Sequence, residues 1–392
     1  MKICVVGGGG HVGLPLGVVL AEAGHEVCAV DRSEERVRQI QSGVSPFFEP
    51  GLDELLRRAL KRQSFSISSE LAVAGNADVV IVVVGTDLSE SGEPQNDSVL
   101  DVVKQIRKHL LPSATLVLRS TVLPGTTAHV ADALSDWGGE VAFCPERIAE
   151  GRALEELQVM PQLVGTKLGL ASEQVVSLFG SLGVEVINMT WEEAELSKLI
   201  LNAWRYSQFA IANEFAHVCE MHGVSFGKIR LAMTQQYPRS NGLMAPGFAG
   251  GPCLRKDTVQ LFSSTQPQSE LLAAIIRHHD EVVGRMSDSV VAAVGATDKC
   301  VVQLGLTFKP NSDDLRGSVA IELARNLQRR IKNFIVVDPH IDSHPEFRML
   351  SLREALESAH LAVIGTRHSE FANLPKNLPT IDLGFPQPRP FN

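Results

Sequence analysis

One cysteine in this chain lies behind a run of small residues and is followed by charged side chains. The segment reads Pro246-Gly247-Phe248-Ala249-Gly250-Gly251-Pro252-Cys253-Leu254-Arg255-Lys256-Asp257. Its glycines allow a bulky ligand to approach the backbone closely. A thiol in such a loop can act as a nucleophile, and Lys256 and Asp257 could tune it or move protons. The alternative is a glycine turn with a buried, inert cysteine, because cysteine is among the most often buried residue types.

The long segment from Glu192 to about Glu220 contains no glycine or proline and is predicted to be one helix, with Thr190 as a candidate N-cap. Lys198 and Asn202 are four residues apart, so they lie on one face of this helix, one turn apart. Burying a lysine among apolar neighbours without a partner is costly, which favours a functional role. The alternatives are a snorkelling side chain or an ion pair with Glu195. A helix of this length commonly joins domains or packs against its copy in a dimer.

The N-terminus has the pattern of a strand, a glycine turn and a helix. Ile3 to Val6 is a short apolar strand, and a second strand, Glu26 to Val30, ends at Asp31. This order is typical of dinucleotide binding, in which glycines let a pyrophosphate approach the helix N-terminus and the acid accepts hydrogen bonds from the adenosine ribose. Asp31 favours NAD over NADP, although the neighbouring Arg32 weakens that preference. The turn residues predicted to bind the cofactor are Gly8, Gly10, His11, Val12 and Gly13.

Polar residues follow three further apolar runs, which are typical of strands covered on both faces. These runs occupy residues 79–84, 115–118 and 141–143. In open parallel sheets, ligands bind beyond the carboxyl ends of the strands. Thr86, Thr121 and Glu146 follow the three runs. Each alone could be a capping or solvated residue, but as a set they indicate a shared cleft.

The alternation of strands and helices returns in the last hundred residues, after a helical segment predicted from Ser269 to Ala293. The strands predicted there are 299–304, 334–339, 361–366 and 380–383. The polar loop from Gly305 to Arg316 follows the first of them, and its Lys309 and Arg316 could hold phosphate. The alternative is a solvated turn with surface ion pairs.

These elements predict an α/β protein with three domains. They are an N-terminal NAD-binding Rossmann domain at residues 1–190, a central helical domain with one long helix at 191–294, which carries Cys253, and a C-terminal Rossmann-like α/β domain at 295–392.

Composition narrows the possible functions. A net charge of −9 and an aromatic content of 5% argue against a nucleic-acid binder. The six cysteines form no C-x-x-C pair, so no metal site is predicted, and Cys4 and Cys28 are expected in the core. The N-terminus runs directly into the glycine turn without a signal peptide, and no apolar run reaches the roughly 18 residues of a membrane span. We therefore expect a cytoplasmic protein with reduced thiols and no membrane partner.

Taken together, these segments resemble the nucleotide-sugar 6-dehydrogenases, the family of UDP-glucose, GDP-mannose and UDP-N-acetylmannosamine dehydrogenases. The resemblance covers nearly the whole chain in the family's order, and it is the joint match that is specific. The matching segments are Gly8 to Pro15, Glu49 to Leu52, Ser120 to Val122 with Pro124 to Thr127, Cys144 to Arg147 with Glu150-Gly151, Lys198 and Asn202, Gly250 to Cys253 with Lys256-Asp257, and Gly305 to Arg316.

The resemblance implies a four-electron oxidation of the sugar C6 alcohol to a carboxylate with two NAD, which supplies polysaccharide or glycan precursors. Cys253 would form a thiohemiacetal and then a thioester, which water hydrolyses. Lys198 and Asn202 would donate to the oxyanion at C6, and Asp257 would assist proton transfer. Glu146 would act as the base for hydrolysis, with a water held through Thr121.

The resemblance also implies which residues bind the ligands. It suggests a homodimer in which Arg239 reaches the neighbouring subunit's substrate. Thr86, Thr121 and Arg316 are assigned to the cofactor. The residues assigned to the nucleotide sugar are Glu146, Arg147, Glu150, Lys198, Asn202, Arg239, Gly250 and Lys309.

The chain departs from the family's pattern at three places. Gly85-Thr86-Asp87 replaces Pro-Thr-Pro, Arg255 stands where the family often has Pro or Gln, and Gly384 stands about where some members have a substrate-binding Arg. The Cys-Pro-Glu-Arg segment ending at Arg147 leans towards the N-acetylated sugars, whereas Glu150-Gly151 is shared with UDP-glucose enzymes. The sequence therefore does not decide between these sugars.

Two other functions compete with this one. A two-electron β-hydroxyacid dehydrogenase would share the Rossmann domain and a catalytic Lys with Asn four residues on, but it needs neither Cys253 nor a second α/β domain. A non-catalytic nucleotide-sugar binder would keep the fold without turnover.

Overall fold

The computed structural model describes residues 1–86, 88–89, 92–95, 97–295 and 298–382. These residues form two compact units. The first comprises Met1–Leu201 and Val259–Ser264, and the second comprises Asn202–Thr258 and the described residues from Thr265 onward.

The first unit is built on an eight-stranded sheet in the order β3-β2-β1-β4-β5-β6-β7-β8. Its strands are β1 Lys2–Val6, β2 Glu26–Val30, β3 Phe65–Ser68, β4 Val79–Val82, β5 Thr115–Leu118, β6 Glu140–Phe143, β7 Gln162–Thr166 and β8 Val186–Thr190. Neighbouring strands are parallel except β6 and β7, which pair antiparallel at Phe143 and Gly165. Because β4, β5 and β6 are adjacent, the polar residues that follow them meet at one edge of the sheet.

Helices cover both faces of this sheet. They are α1 Gly13–Glu22, α2 Glu34–Gln41, α3 Leu52–Lys61, α4 Asp97–Arg107, α5 Thr126–Ala133, α6 Ala153–Glu156 and α7 Glu173–Gly180. Successive residues of β1 point to opposite faces, so Ile3 and Val5 pack in one apolar cluster while Cys4 and Val6 pack in the other. Burial raises the pKa of the Cys4 thiol to about 12. The expectation that Cys28 is a core residue was wrong: it is half-buried, because it points to the face of β2 opposite to the buried Val27 and Ala29.

The predicted long helix is confirmed as α8, Trp191–Met221. Thr190 and Glu193 form reciprocal hydrogen bonds at its start: the Thr190 hydroxyl accepts from the Glu193 N–H, and the Glu193 carboxylate accepts from the Thr190 N–H. This is a capping box, which satisfies two N–H groups at the helix terminus and confirms Thr190 as the cap. The helix contributes residues to Leu201 to the first unit and residues from Asn202 to the second.

The second unit contains a four-stranded parallel sheet in the order β10-β9-β11-β12. The strands are β9 Val301–Leu304, β10 Phe334–Val337, β11 Leu361–Ile364 and β12 Thr380–Ile381. The helices that follow α8 in the chain are α9 Phe226–Thr234, α10 Leu254–Ser263, α11 Glu270–Val294, α12 Val319–Arg330 and α13 Leu352–Ser358. Short 3₁₀ turns lie at Leu71–Asn76, Pro238–Ser240 and Ser369–Asn373.

The architecture confirms the predicted α/β class, with a Rossmann-type sheet at each end of the chain and a long helix between them. The last strand was predicted to reach Leu383, which lies outside the described residues. Within the part of the chain that is described, no helix has both the length and the apolar character that a membrane crossing needs.

Candidate active site

Two glycines of the turn after β1, Gly8 and Gly13, leave no room for a side chain. A Cβ at Gly13 would lie 2.4 Å from the carbonyl oxygen of Gly7, and a Cβ at Gly8 would lie 2.6 Å from the Cβ of Ala29. The Asp31 carboxylate closes the turn, because its Oδ2 accepts a hydrogen bond from the Gly9 N–H at 3.2 Å. Strand, turn, helix and acid are therefore in the arrangement that the sequence predicts for a dinucleotide-binding turn.

The other predicted cofactor residues around this turn have different surroundings. The His11 ring stacks on Phe47 with ring centroids 4.1 Å apart. Val12 immediately precedes α1 as its N-cap, and Arg32 is exposed beside the buried Asp31.

Two of the three strand-end residues touch. The Thr86 hydroxyl donates to the carbonyl oxygen of Thr121 at 2.6 Å. Glu146 follows the next strand of the sheet and is buried. The structure thus brings together Thr86 and Thr121 at the carboxyl edge, as the sequence predicted.

The carboxylate of Glu146 is saturated by donors from its own chain. Oε2 accepts from the Arg119 Nε at 2.8 Å, and Oε1 accepts from the backbone N–H groups of Arg147 at 2.6 Å and Ile148 at 2.8 Å. Arg119 is itself buried, and its Nη1 donates to Gln162 and to the Cys144 carbonyl. The partner Arg119 was not predicted, because the pairing joins two strand ends that lie 27 residues apart in sequence.

Glu150 lies in a turn that a distant acid holds in place. The carboxylate of the buried Glu49 accepts from the N–H groups of Gly151 at 2.7 Å and Ala153 at 2.9 Å, which fixes the chain on both sides of Arg152, just before α6. Glu150 is half-buried, and the Arg147 side chain donates to the Pro161 carbonyl. Glu49 entered the sequence prediction only as part of a matching segment, and its contacts give it a positioning role.

The thiol of Cys253 is exposed, so the alternative of a buried cysteine was wrong. Cys253 immediately precedes α10, and its carbonyl accepts the N–H of Asp257 at 2.8 Å in the first turn of that helix. The N-terminus of a helix favours negative charge, which suits a thiolate.

One turn further along α10, Asp257 is fully buried, with a hydrogen bond at Oδ2 and an ion pair without hydrogen-bond geometry at Oδ1. Oδ2 accepts from the Asn202 amide at 2.5 Å, and Oδ1 lies 2.8 Å from the Lys256 ammonium. The structure therefore joins Asn202, Lys256 and Asp257 in one charged network next to the thiol in sequence. A buried carboxylate is tolerated here because a cation and an amide compensate it.

Lys198 lies one turn before Asn202 on α8 and is 8% exposed. The alternative of an ion pair between Lys198 and Glu195 was wrong. The Glu195 carboxylate instead accepts from the N–H groups of Gly125 and Thr127, both at 2.7 Å. Among the described residues, Lys198 has no ion-pair partner. A nearly buried ammonium without a partner fits a group that meets an anionic or polar ligand.

Two contacts tether the loop that leads to Cys253. The Asn213 side chain pairs with the peptide of Gly247, donating to its carbonyl at 3.0 Å and accepting from its N–H at 2.8 Å. The N–H of Gly251 donates to the carbonyl of Gly317 at 2.9 Å. Asn213 was missed in the sequence, because an amide on a long helix gives no sign of the loop it will bind.

The residues predicted to bind the nucleotide have different surroundings. Arg316 forms an ion pair with Asp314, with Nε 3.0 Å from Oδ1, which fits the ion-paired alternative for this residue. Lys309 is half-buried with its ammonium 5.4 Å from the Phe308 ring centroid. Gly250 packs against Phe308 and Gly317, whereas Arg239 is exposed.

Two of the departures from the family pattern lie at least partly on described residues. The Gly85 carbonyl accepts a hydrogen bond from the Ser98 hydroxyl at 2.8 Å. Arg255 pairs with Asp280 on α11, with Nε 3.3 Å from Oδ1. The Arg255 side chain therefore links α10 to α11. Asp87 and Gly384 lie outside the described residues.

A parallel sheet with a glycine turn and a ribose-type acid defines the first unit as the NAD-binding part of a dehydrogenase. The exposed Cys253 immediately precedes α10, which carries Lys256 and Asp257 of the network with Asn202. The comparisons with known proteins agree with this class.

Three sequence profiles of the UDP-glucose/GDP-mannose dehydrogenase family match the chain: the NAD binding domain at residues 1–182, the central domain at 192–282 and the UDP binding domain at 302–382. The chain belongs to this family, and it is an NAD-dependent nucleotide-sugar dehydrogenase.

Its relatives include enzymes for different sugars. The chain is 31% identical to UDP-glucose 6-dehydrogenase YwqF of Bacillus subtilis, covering 93% of this chain and 86% of that protein. It is 32% identical to a GDP-mannose 6-dehydrogenase of Pseudomonas savastanoi pv. phaseolicola, covering 87% and 82%. The solved structure of a UDP-D-ManNAc dehydrogenase from Pyrococcus horikoshii superposes with a TM-score of 0.89 at 26% identity, covering 98% and 99%.

Proposed function

We propose that this protein oxidises the C6 alcohol of a nucleotide sugar to the carboxylate in two steps, through a covalent bond to Cys253. The observation that carries the proposal is the exposed Cys253 thiol directly before α10. The first turn of α10 carries Lys256 and Asp257, which form a network with Asn202 of α8. A two-electron dehydrogenase has no use for such a thiol.

The residues of the glycine turn fit NAD. A Cβ at Gly8 or Gly13 would clash within the turn, and Asp31 follows β2, where a ribose hydroxyl can donate to it. When bound, NAD accepts a hydride from C6 in each of the two oxidations. Thr86 and Thr121, already hydrogen bonded to each other, line the strand ends where the cofactor of such folds lies, and Arg316 is proposed as a further cofactor contact.

Cys253 supplies the covalent step. After the first oxidation, its thiolate adds to the C6 aldehyde, which forms a C–S bond and a thiohemiacetal. The second oxidation removes a hydride from C6 and leaves a thioester. Water then breaks the C–S bond, which releases the carboxylate and returns the thiol.

Lys198 and Asn202 are proposed to stabilise the negative charge that develops on the C6 oxygen. Both are donors on one helix face, and Lys198 has no ion-pair partner among the described residues. Asp257 accepts a hydrogen bond from the Asn202 amide and therefore fixes the orientation of that amide. It is also proposed to assist removal of the proton from the C6 hydroxyl.

Glu146 is proposed as the base that activates water for thioester hydrolysis, with the water held through Thr121. Its carboxylate already accepts from Arg119, Arg147 and Ile148, so this role requires one of these contacts to open when the acyl group is in place. Glu150 and Arg147 on the same segment, with Gly250 and Lys309, are the proposed contacts to the sugar nucleotide.

The sugar is decided by a substrate panel. The protein is incubated with NAD and UDP-glucose, UDP-N-acetylmannosamine or GDP-mannose, and NADH is followed by absorbance. We expect about two NADH per sugar consumed for one member of the panel, and much weaker reduction of NADP because Asp31 would repel a 2′-phosphate. One NADH per substrate would favour the two-electron dehydrogenase, and no turnover would favour the binder.

We also propose a homodimer formed through an apolar stripe on α8. The stripe is spaced at helical intervals and remains exposed; it consists of Trp204, Ile211, Phe215 and Val218, with exposures of 57%, 46%, 46% and 44%. Leu231 and Met233 on α9 are likewise 64% and 50% exposed. Contiguous exposed apolar side chains on one helix indicate a protein interface. The exposed Arg239 follows α9 in the chain, as an arginine offered to the partner's substrate requires.

A charged side chain in this stripe is expected to dissociate the dimer. We expect the double variant Trp204→Glu with Phe215→Glu to run as a monomer in light scattering at micromolar concentration, because it places two like charges where apolar surface is buried. The control is Leu168→Glu, an 84% exposed leucine in the first unit, which should remain dimeric. A parent protein that is already monomeric, or a dimer that survives both glutamates, contradicts this interface.

The compartment we propose is the cytoplasm, where NAD and a reduced Cys253 are both available. There the product uronate would supply polysaccharide or glycan synthesis.

A further inference from the structure

Two titratable side chains in the C-terminal sheet are completely buried and have no role in the proposed chemistry. Asp338 follows β10 and His368 follows β11, and both side chains are 0% exposed. Because β10, β9 and β11 are neighbours, these residues flank the loop that follows β9. That loop carries Lys309.

Both ring nitrogens of His368 contact this loop, and Nε2 also contacts Asp338. Its Nδ1 accepts a hydrogen bond from the Asn311 N–H at 3.0 Å, so the ring proton resides on Nε2. Nε2 lies 3.2 Å from the Asp338 Oδ2 and 3.1 Å from the Thr307 hydroxyl. Nδ1 of His368 therefore accepts a hydrogen bond from the loop, while Nε2 faces Asp338 and Thr307.

Asp338 holds the start of the same loop. Its Oδ2 accepts from the N–H groups of Leu306 at 2.6 Å and Thr307 at 3.3 Å. Burial alone would raise the pKa of this carboxyl, but the hydrogen bonds from His368, Leu306 and His340 outweigh it, and the pKa lies below its usual range. Asp338 is thus a carboxylate that anchors Leu306 and Thr307.

Lys309 lies between the two anchored points. Its backbone carbonyl accepts from the Thr307 hydroxyl at 2.9 Å. Asn311 on the far side has a φ of 55°, a left-handed conformation that Asn tolerates better than most residues. The Asn311 side chain is held as well, because its Oδ1 accepts from the N–H of Ser369 at 3.0 Å. The backbone on both sides of Lys309 is therefore fixed by side chains from neighbouring strand ends.

The geometry excludes two other roles for this cluster. In a nucleophile–base–acid triad, the acid and the hydroxyl approach opposite nitrogens of the imidazole. Here Asp338 and Thr307 both approach Nε2. His340, His368 and Glu370 lie close enough to suggest a metal site, but both His368 nitrogens already hydrogen bond to the protein.

We propose that His368 is a positioning residue for the nucleotide half of the substrate: it fixes the Asn311 end of the loop, with Asp338 fixing the other end, so that Lys309 is pre-organised for the diphosphate. The inference rests on the proposed role of Lys309. Pre-organisation lowers the entropy lost on binding, so its removal weakens substrate binding and leaves the C6 chemistry intact.

Isosteric variants separate the two hydrogen bonds of His368. In His368→Asn, the amide oxygen can occupy the place of Nδ1 and still accept from Asn311. In His368→Gln, the longer amide reaches the place of Nε2, so it keeps the contacts with Asp338 and Thr307 but loses the hydrogen bond from Asn311. In His368→Phe, both hydrogen bonds are lost.

The expected result is a split between kinetic parameters. We expect His368→Gln and His368→Phe to raise the KM for the nucleotide sugar and the Kd for UDP about tenfold, the effect of roughly one lost hydrogen bond. The KM for NAD and kcat should stay within about twofold. His368→Asn should bind UDP nearly as the parent does. GDP replaces UDP in the titration if the panel selects a GDP-sugar.

The control is His340→Phe, a neighbouring exposed histidine whose ring has no hydrogen bond to the loop among the described contacts. It should leave the Kd for UDP unchanged. If a metal ion held by His340, His368 and Glu370 supported UDP binding instead, His340→Phe would also raise the Kd for UDP. The proposal is overturned if His368→Gln binds UDP like the parent, or if all three His368 variants lower kcat and raise both KM values together.

A second measurement uses the unmodified protein and covers the case in which the variants do not fold. The Asn311 amide should exchange with deuterium slowly without ligand, because it is bound to His368. Rapid exchange overturns the proposal. A parent that binds neither UDP nor GDP and makes no NADH contradicts the proposed function instead, while slow Asn311 exchange would still report the anchored loop.

Discussion

Replacement of Cys253 by Ser is expected to lower the steady-state rate of NADH formation by at least about a thousandfold. A serine hydroxyl is a far weaker nucleophile than a thiolate near neutral pH, and the loss of a covalent nucleophile generally costs orders of magnitude in kcat. Because Cys253 is exposed and precedes α10, the change removes little packing. The thermal midpoint should therefore shift by no more than about 1–2 °C.

The measurement combines kinetics with trapping. The parent protein, quenched during turnover, should carry a covalent sugar adduct on the peptide that contains Cys253, and the variant should carry none. Cys219→Ser on α8 is the matched control, a half-buried cysteine away from this loop, and it should keep parental turnover. Unchanged turnover in Cys253→Ser would exclude the thioester route.

Replacement of Asp257 by Asn should lower kcat about a hundredfold while the protein stays folded. The buried carboxylate accepts from the Asn202 amide and pairs with Lys256, and a neutral amide cannot serve both donors. Asn202 would lose its fixed orientation, and the proton of the C6 hydroxyl would lose its acceptor. The unpaired Lys256 should cost about 1–3 kcal/mol of unfolding free energy, measured by urea denaturation.

The control for this variant is Asp280→Asn. Asp280 pairs with Arg255 across a half-exposed surface, where an ion pair contributes about 0.2–1 kcal/mol, so activity and stability should change little. If Asp257→Asn were as active as the parent, Asp257 would be a structural anchor only. Equal losses in both variants would point to α10 packing as the cause.

Much of the fold was predictable because its strands are short apolar runs followed by glycines or polar residues. The predicted strands at 115–118 and 26–30 agree with β5 and β2 residue for residue. The strands β7 and β8 were not predicted: Gln162–Thr166 mixes polar and apolar residues, and β8 at the sheet edge is half-exposed. The antiparallel pairing of β6 with β7 was not predictable either, because the pairing of strands depends on tertiary contacts.

The candidate site was predictable where residue type and position coincide. Thr86 and Thr121 follow neighbouring strands and do touch, and Asn202 and Asp257 do meet. The partners that hold these residues were not predictable. Arg119 beneath Glu146, and His368 beside Asn311, are ordinary polar residues in sequence, and only the sheet order brings them to their partners.

The contact between Gly251 and Gly317 has a consequence for laboratory evolution of sugar preference. A Cβ on Gly317 would lie 2.8 Å from the Gly251 carbonyl oxygen, and a Cβ on Gly251 would lie 2.6 Å from the Phe308 ring. Both glycines also have positive φ values of 97° and 59°, which disfavour any other residue. Libraries that randomise these loops should therefore keep both codons fixed and vary their neighbours, since every other residue at either site would separate the thiol loop from the nucleotide loop.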